Sequence, residues 1–231
     1  MSIVRVNFST DGLLPEGFES SDFPQKMNDI ELCVTNLREI PGDLNTKWPL
    51  GAIIQVEYSE LSALPLVLAR LQPYYTFLTG NPITELPAEI FEVEGMVYLG
   101  VSGTNIRELP QNVTQVFPDL IYVELVNTRV SFFWSWVDEL VGRVDGPATI
   151  VAGGSICCDD LEKIENDSMV DTFSSSLTPE YSTVLMDRSD ANLQVIAEIV
   201  HCDSAEAPFY PLAFDDDANA LQPPPALPRH G

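Results

Sequence analysis

The chain has 231 residues, of which 45% are hydrophobic and 20% charged, a composition typical of a folded globular protein. Its 35 acidic and 11 basic residues give a formal net charge of −24, which argues against nucleic acids and anionic membrane surfaces as partners because both would be repelled. No run of about 18 apolar residues is present, so we expect no membrane insertion by this chain.

The first residues of the sequence do not have the pattern of a signal peptide. Residues 1–7 lack the apolar stretch and the small-residue cleavage site of a signal peptide. As written, the sequence predicts a cytoplasmic protein. A fragment of a longer surface protein would instead be extracellular, and the sequence leaves these alternatives open.

A hydrophobic residue followed by proline recurs at intervals of 22 to 26 residues. Two apolar residues precede each pair at fixed offsets, as Leu99 and Val101 do, and a small polar residue such as Asn81 follows them. The alternation of apolar residues predicts a short strand with one inward face. The polar residue predicts a turn after the strand, and the proline predicts a change in the direction of the chain. The recurring pairs are Leu14-Pro15, Ile40-Pro41, Leu64-Pro65, Leu86-Pro87 and Leu109-Pro110, with Phe133-Trp134 in the equivalent place.

The pattern L-x-x-L-x-L-x-x-N-x-L followed by x-x-L-P resembles the leucine-rich repeat family. The resemblance implies an α/β solenoid with a curved parallel sheet on the concave side and an irregular or short helical convex side. It also implies a concave sheet that binds protein ligands. The match covers residues 27–140, with a terminal strand expected at residues 149–151.

Four regions are predicted along the chain. Residues 1–26 form a degenerate or truncated first repeat, in which Val4, Val6 and Ser9 fit the strand and turn positions but Asp11 occupies an apolar one. The other three regions are a solenoid over 27–156, a helical capping region over 157–214 and an acidic, proline-rich tail over 215–231, expected to be disordered.

Within the capping region, residues 190–202 have the apolar spacing of an amphipathic helix, with Ser189 or Asp190 as its N-cap. A weaker helix is predicted over 159–171, and residues 209–214 are expected to pack on the end of the solenoid. Four aromatic residues of the last full repeat, within 132–136, predict either bulky closure of the core or an aromatic ligand site.

Residues that alternate with the buried strand positions are predicted to face outward on the concave sheet. Three tyrosines fall at one offset on neighbouring strands, with Gly100 and Gly103 leaving a notch beside them. Such a row suits protein binding because tyrosine brings a large contact area and a polar tip. The same row could instead stabilise the sheet through contacts between aromatic neighbours on adjacent strands, and the two roles are compatible. The predicted ligand-binding residues are Tyr75, Phe77, Tyr98, Tyr122, Glu57 and Glu124, and their carboxylates predict a partner with a basic surface.

The capping region carries three of the four cysteines. The family resemblance implies a disulfide from Cys157 or Cys158 to Cys202 that ties the cap to the repeats, whereas a reducing cell would keep free thiols. Asn7, Asn112 and Asn166 lie in N-x-S/T sequons and are the predicted glycosylation sites if the protein is extracellular.

Catalytic signals are weak. The two histidines lie in no spacing typical of nucleophilic catalysis, and no cysteine and histidine spacing suits a metal. We therefore expect no cofactor, no metal and no enzymatic activity. The leading hypothesis is a non-catalytic module that binds a protein or peptide. The alternatives are a structural spacer of a larger surface or receptor-like protein and, more distantly, an enzyme that uses Cys157 or Cys158.

Overall fold

The computed structural model describes residues 1–143, 146–166, 173–176 and 178–203. The predicted packing of residues 209–214 and the predicted disorder of residues 215–231 lie outside the described residues. Among the helices that are described, none has the length and apolar character needed to cross a bilayer.

The described residues contain one all-parallel sheet whose eight strands follow each other in chain order. This agrees with the predicted α/β class and parallel sheet, and the strand expected at residues 149–151 is present. The strands are β1 Ser2–Val4, β2 Asp29–Cys33, β3 Ile53–Gln55, β4 Tyr75–Phe77, β5 Tyr98–Gly100, β6 Tyr122–Glu124, β7 Thr149–Val151 and β8 Val200–His201. We use "unit" for one strand together with the chain that leads to the next strand.

Side chains alternate across the sheet. In β3, Ile54 points into the core and is fully buried, while Ile53 before it is half-buried on the opposite side, which we call the outer face. Strands in register place equivalent apolar residues beside one another, so the inner face is one continuous core. The fully or almost fully buried residues of this face include Ile30, Leu32, Ile54, Val56, Leu78, Leu99, Val101, Val123, Leu125 and Ile150.

Three of the five hydrophobic-proline pairs start short helices of the return segments. Pro15, Pro65 and Pro87 each precede a helical turn, with φ of −61°, −71° and −72°, because the pyrrolidine ring fixes the angle at which a helix begins. Trp134 replaces proline with φ of −74°, held by a hydrogen bond from its indole Nε1 to the Leu109 carbonyl at 2.7 Å. The helices are the α-helices α1 Leu66–Arg70 and α2 Asp138–Val141 and the 3₁₀ turns Glu16–Glu19, Leu44–Thr46, Ala88–Ile90 and Ser135–Val137.

One residue of each of the first six units adopts a left-handed conformation just after the strand. Its backbone N–H donates to a carbonyl of the next unit at 2.7 to 3.1 Å, so the same turn recurs from unit to unit. Most of these residues are not glycine, and the repeat pattern therefore gives no signal for the turn. The residues and their φ angles are Arg5 56°, Val34 55°, Tyr58 50°, Gly80 72°, Gly103 63° and Asn127 55°.

The amino-terminal unit has a different register from the predicted one. Ile3, rather than Val6, pairs with Leu32, and Val6 is 43% exposed. The chain that follows β1 is longer than in the next four units. The Arg38 N–H donates to the Gly12 carbonyl, and the Asn36 side chain holds the backbone at Phe8 and Ser9. Counting back from the Leu-Pro pair therefore misplaces the strand by three residues.

The carboxyl-terminal region adds two helices and a strand. Helix α3 spans Ile156–Asn166 and so begins three residues before the predicted start, while the predicted end at residue 171 lies outside the described residues. Helix α4 spans Asp190–Ile199 after the N-cap Ser189. The predicted helix over 190–202 was too long, because Val200 and His201 leave it to form β8 beside β7. The outer edge of β7 has backbone N–H and carbonyl groups that need hydrogen-bond partners. Strand β8 supplies partners for them, since the Ala152 N–H donates to the His201 carbonyl at 2.9 Å.

The aromatic residues of the last full repeat close the core. Phe132, Phe133, Trp134 and Trp136 are all at most 9% exposed. Tyr181 of the following segment stacks on Phe132 with ring centroids 4.3 Å apart, and the Ser182 N–H donates to the Phe133 carbonyl at 2.8 Å. These contacts favour closure of the core over an aromatic ligand site.

Candidate functional site

Three tyrosines form a row across the outer face of the sheet. Tyr75, Tyr98 and Tyr122 begin β4, β5 and β6, pair directly in register, and are each half-buried. The Tyr75 and Tyr98 ring centroids are 6.0 Å apart in an edge arrangement, and those of Tyr98 and Tyr122 are 4.4 Å apart and stacked. We call these residues the tyrosine row. It presents a continuous aromatic surface in the middle of the sheet.

A buried carboxylate fixes the central tyrosine. Glu124 is 2% exposed, and its Oε2 accepts a hydrogen bond from the Tyr98 hydroxyl at 2.6 Å. Its Oε1 accepts a second from Ser102 Oγ, also at 2.6 Å, and Ser102 Oγ in turn accepts the Val126 N–H at 3.0 Å. Because both carboxylate oxygens are engaged, Glu124 orients Tyr98 rather than offering a free charge to a partner.

The other predicted site residues are also buried, contrary to the expectation of an open surface. Phe77 is 1% exposed and its ring centroid lies 4.8 Å from that of Tyr98, while Glu57 is 0% exposed and accepts a hydrogen bond from Gln55 Nε2 at 2.6 Å. The notch expected at Gly100 is filled, since a Cβ there would lie 3.1 Å from the Phe77 ring. Parallel strands are so closely spaced that large outward side chains cover their smaller neighbours.

Two further tyrosines that the sequence analysis missed lie close to these strands, and one of them extends the tyrosine row. Tyr74 is 47% exposed and its ring stacks on Tyr75 at 4.6 Å. The Tyr58 ring lies across Gly80, where a Cβ would be 2.4 Å from it. Burial, and next the carboxylates of Glu57 and Glu124, raise the pKa of Tyr58 to about 12. Five of the seven tyrosines, at 58, 74, 75, 98 and 122, gather at these strands, and this clustering was the available signal.

The structure joins Cys158 to Cys202 in a disulfide, so that the start of α3 is covalently tied to the residue after β8. Cys157 and Cys33 are buried free thiols. Burial raises the pKa of each thiol to about 12, with a further contribution from Asp160 for Cys157. Neither is therefore poised as a nucleophile, since the thiolate is the reactive form.

Within the part of the chain that the structure describes, no group of three or more His, Cys, Asp or Glu side chains is placed to hold a metal ion. Of the three predicted glycosylation sites, Asn7 and Asn112 are exposed, and the side chain of Asn166 is not among those that the structure describes. Exposure permits modification but does not establish it.

Comparison with known proteins adds no assignment. No protein-family model matches the chain, and no curated protein matches it significantly.

Proposed function

We propose that this chain is a non-catalytic interaction module of the leucine-rich repeat type that binds a protein or peptide on the concave face of a solenoid. The observation that carries the proposal is the tyrosine row, which places three half-buried rings in register on adjacent strands. Tyrosine rings held this way add contact area with little loss of side-chain entropy on binding.

The leucine-rich repeat assignment has several lines of support. One strand per unit, in chain order and parallel, is the geometry that stacked repeats require. The small polar residue after each strand is buried, as in Thr35, Asn81 and Thr104, and bonds backbone or side-chain groups of its own or a neighbouring unit. Short helices after the proline positions provide the opposite side of such a solenoid.

The expected partner has a basic surface with apolar side chains. The molecule carries a net charge of −24, and Asp29 and Glu31 lie half-buried on the outer face of β2. Burial, and then the charge of Glu31, raise the pKa of Asp29, as expected for two acids that share one surface. Association is therefore expected to be rapid at low salt and to slow as salt is added.

A phage-displayed library of random peptides, selected on the immobilised full chain, tests the proposal. We expect the selected peptides to combine Lys or Arg with aliphatic or aromatic residues. The double variant Tyr75→Ala/Tyr122→Ala should weaken their binding by about tenfold to a hundredfold, the range for loss of interface tyrosines. Tyr98 is left intact, because truncating it would strand the buried carboxylate of Glu124.

Tyr181→Phe serves as the matched control, since Tyr181 packs on Phe132 away from the tyrosine row. It should bind the selected peptides as the natural chain does. If the double variant stays folded by circular dichroism and retains full affinity for the selected peptides, the tyrosine row is not the binding surface.

A further inference from the structure

Arg107 and Arg129 lie opposite each other on neighbouring units, beyond the turn that follows the strands. The Arg129 N–H donates to the Ile106 carbonyl at 2.8 Å, which places residue 129 beside the pair 106–107. Three units earlier the same register recurs, because the Glu60 N–H donates to the Leu37 carbonyl at 2.9 Å. There the equivalent side chains form an ion pair, with Arg38 Nε 2.7 Å from Glu60 Oε2. Side chains at these two positions can thus reach each other.

Positions 107 and 129 therefore hold two positive charges, whereas the equivalent positions three units earlier hold the ion pair of Arg38 and Glu60. Both arginines are exposed, and neither guanidinium forms an ion pair or a hydrogen bond with another described residue. Like charges opposite each other are unfavourable, and this pair uses two of 11 basic residues in a strongly acidic chain. A bound anion would turn the repulsion into two charge-assisted interactions.

A groove of about 520 Å³ lies beside the two arginines. Ile156, which is 39% exposed, and the largely buried Phe132 form its apolar side, and Ser131 also lines it. Glu108 also lines it. The groove thus combines two guanidinium groups, an apolar wall and one carboxylate.

We propose that this groove binds a phosphorylated peptide, with the phosphate between Arg107 and Arg129 and a neighbouring apolar side chain against Phe132 and Ile156. Guanidinium groups bind phosphate oxygens in a bidentate manner, and a phosphate carries nearly two charges in a small volume at neutral pH. A nucleic acid or a run of carboxylates would spread negative charge over the surrounding acidic surface, including Glu108. A single phosphate keeps its charge within reach of the two arginines, and screening limits the repulsion from more distant acids.

The proposal is tested by calorimetric titration of the full chain with three short peptides at constant ionic strength and neutral pH. One peptide contains phosphotyrosine between leucines, the second has unmodified tyrosine and the third has glutamate at that position. We expect the phosphorylated peptide to bind at least about tenfold more tightly than the other two, because it alone can engage both guanidinium groups with a dianion. Inorganic phosphate should bind more weakly than the phosphopeptide, since it makes no contact with the apolar wall.

Arg129→Glu is the decisive variant, because it reproduces the Arg38–Glu60 pair at the equivalent position. It should reduce phosphopeptide binding by about a hundredfold while keeping or raising the melting temperature, so that loss of binding cannot reflect unfolding. Arg107→Gln should reduce binding by about tenfold. Arg38→Gln, which alters the equivalent position in another unit, should leave binding unchanged.

Three results would overturn the proposal. They are equal binding of the phosphorylated and unmodified peptides, full binding by Arg129→Glu, and tighter binding of the glutamate peptide than of the phosphopeptide. If inorganic phosphate binds as tightly as the phosphopeptide, the peptide part of the proposal is wrong. None of these outcomes depends on the tyrosine row, because the titration and variants concern a different set of residues.

Discussion

Asn81 shows how one buried polar side chain can join neighbouring units. It is 1% exposed, and its Oδ1 accepts the Leu61 N–H at 3.1 Å. Its Nδ2 donates to the Val56 carbonyl of the preceding unit at 2.7 Å and to the Leu78 carbonyl of its own unit at 2.9 Å. At the equivalent place in the next unit, the Thr104 hydroxyl donates to the Val101 carbonyl at 2.7 Å.

Replacing Asn81 by Ala is therefore expected to lower the free energy of unfolding by about 3 kcal/mol or more. The substitution leaves up to three buried backbone groups without a partner, and each such group costs about 1–3 kcal/mol. Thr104→Val, the matched control, should cost about 1 kcal/mol because one hydrogen bond is lost. Urea unfolding measures both values. Equal losses in the two variants would show that Asn81 does not connect the units.

At the scale of the elements, β8 and the disulfide act together to complete the sheet. Strand β8 has two residues and pairs with β7 at Ile150 and Val151. Two residue pairs alone give a strand little stability, since short isolated strands are marginal in water. The Cys158–Cys202 bond holds the residue after β8 against α3 and so keeps the strand in place.

Cys202→Ser is expected to lower the free energy of unfolding by up to about 4 kcal/mol, the chain-entropy value for the 44-residue separation of the two cysteines. Urea unfolding of the natural chain with and without a reductant provides the measurement, and the reduced chain should resemble the variant. Cys33→Ala, which removes a free thiol, should remain sensitive to the reductant. A natural chain whose stability is unaffected by full reduction would contradict the role given to the disulfide.

At the scale of the whole molecule, the net charge opposes folding. A charge of −24 over 231 residues makes the compact state repel itself more strongly than the unfolded chain does. The exposed pair Arg38–Glu60 and the partly exposed pair Lys47–Asp43 offset little of this, because ion pairs at the surface contribute little in water. Added salt should relieve the repulsion by screening it.

Raising NaCl from about 0.02 M to about 0.5 M shortens the Debye length severalfold and is expected to raise the melting temperature by about 3 °C or more. Differential scanning calorimetry measures the change. The Arg129→Glu variant, which is more acidic still, should show at least as large a rise if the effect is general screening. A melting temperature that falls as NaCl is added would mean that favourable ion pairs outweigh the net repulsion.

The period of the apolar residues in the sequence was enough to predict a parallel sheet with one strand per unit and to place Tyr75, Tyr98 and Tyr122 side by side. This follows because both the side-chain alternation and the in-register pairing repeat with the sequence. The left-handed turns at Val34 and Tyr58 have no such signal, since those residue types rarely adopt positive φ.

The tertiary structure alone decided which outward residues are surface and which are interior. Glu57, Phe77 and Glu124 occupy outward positions but are covered by side chains of neighbouring units. Val200 and His201 likewise form a strand because the open edge of β7 lies beside them. Their own sequence continues the apolar pattern of the preceding helix and does not predict a strand. Local sequence sets the direction in which a side chain points, whereas its burial depends on what packs over it, and that is fixed by contacts between units.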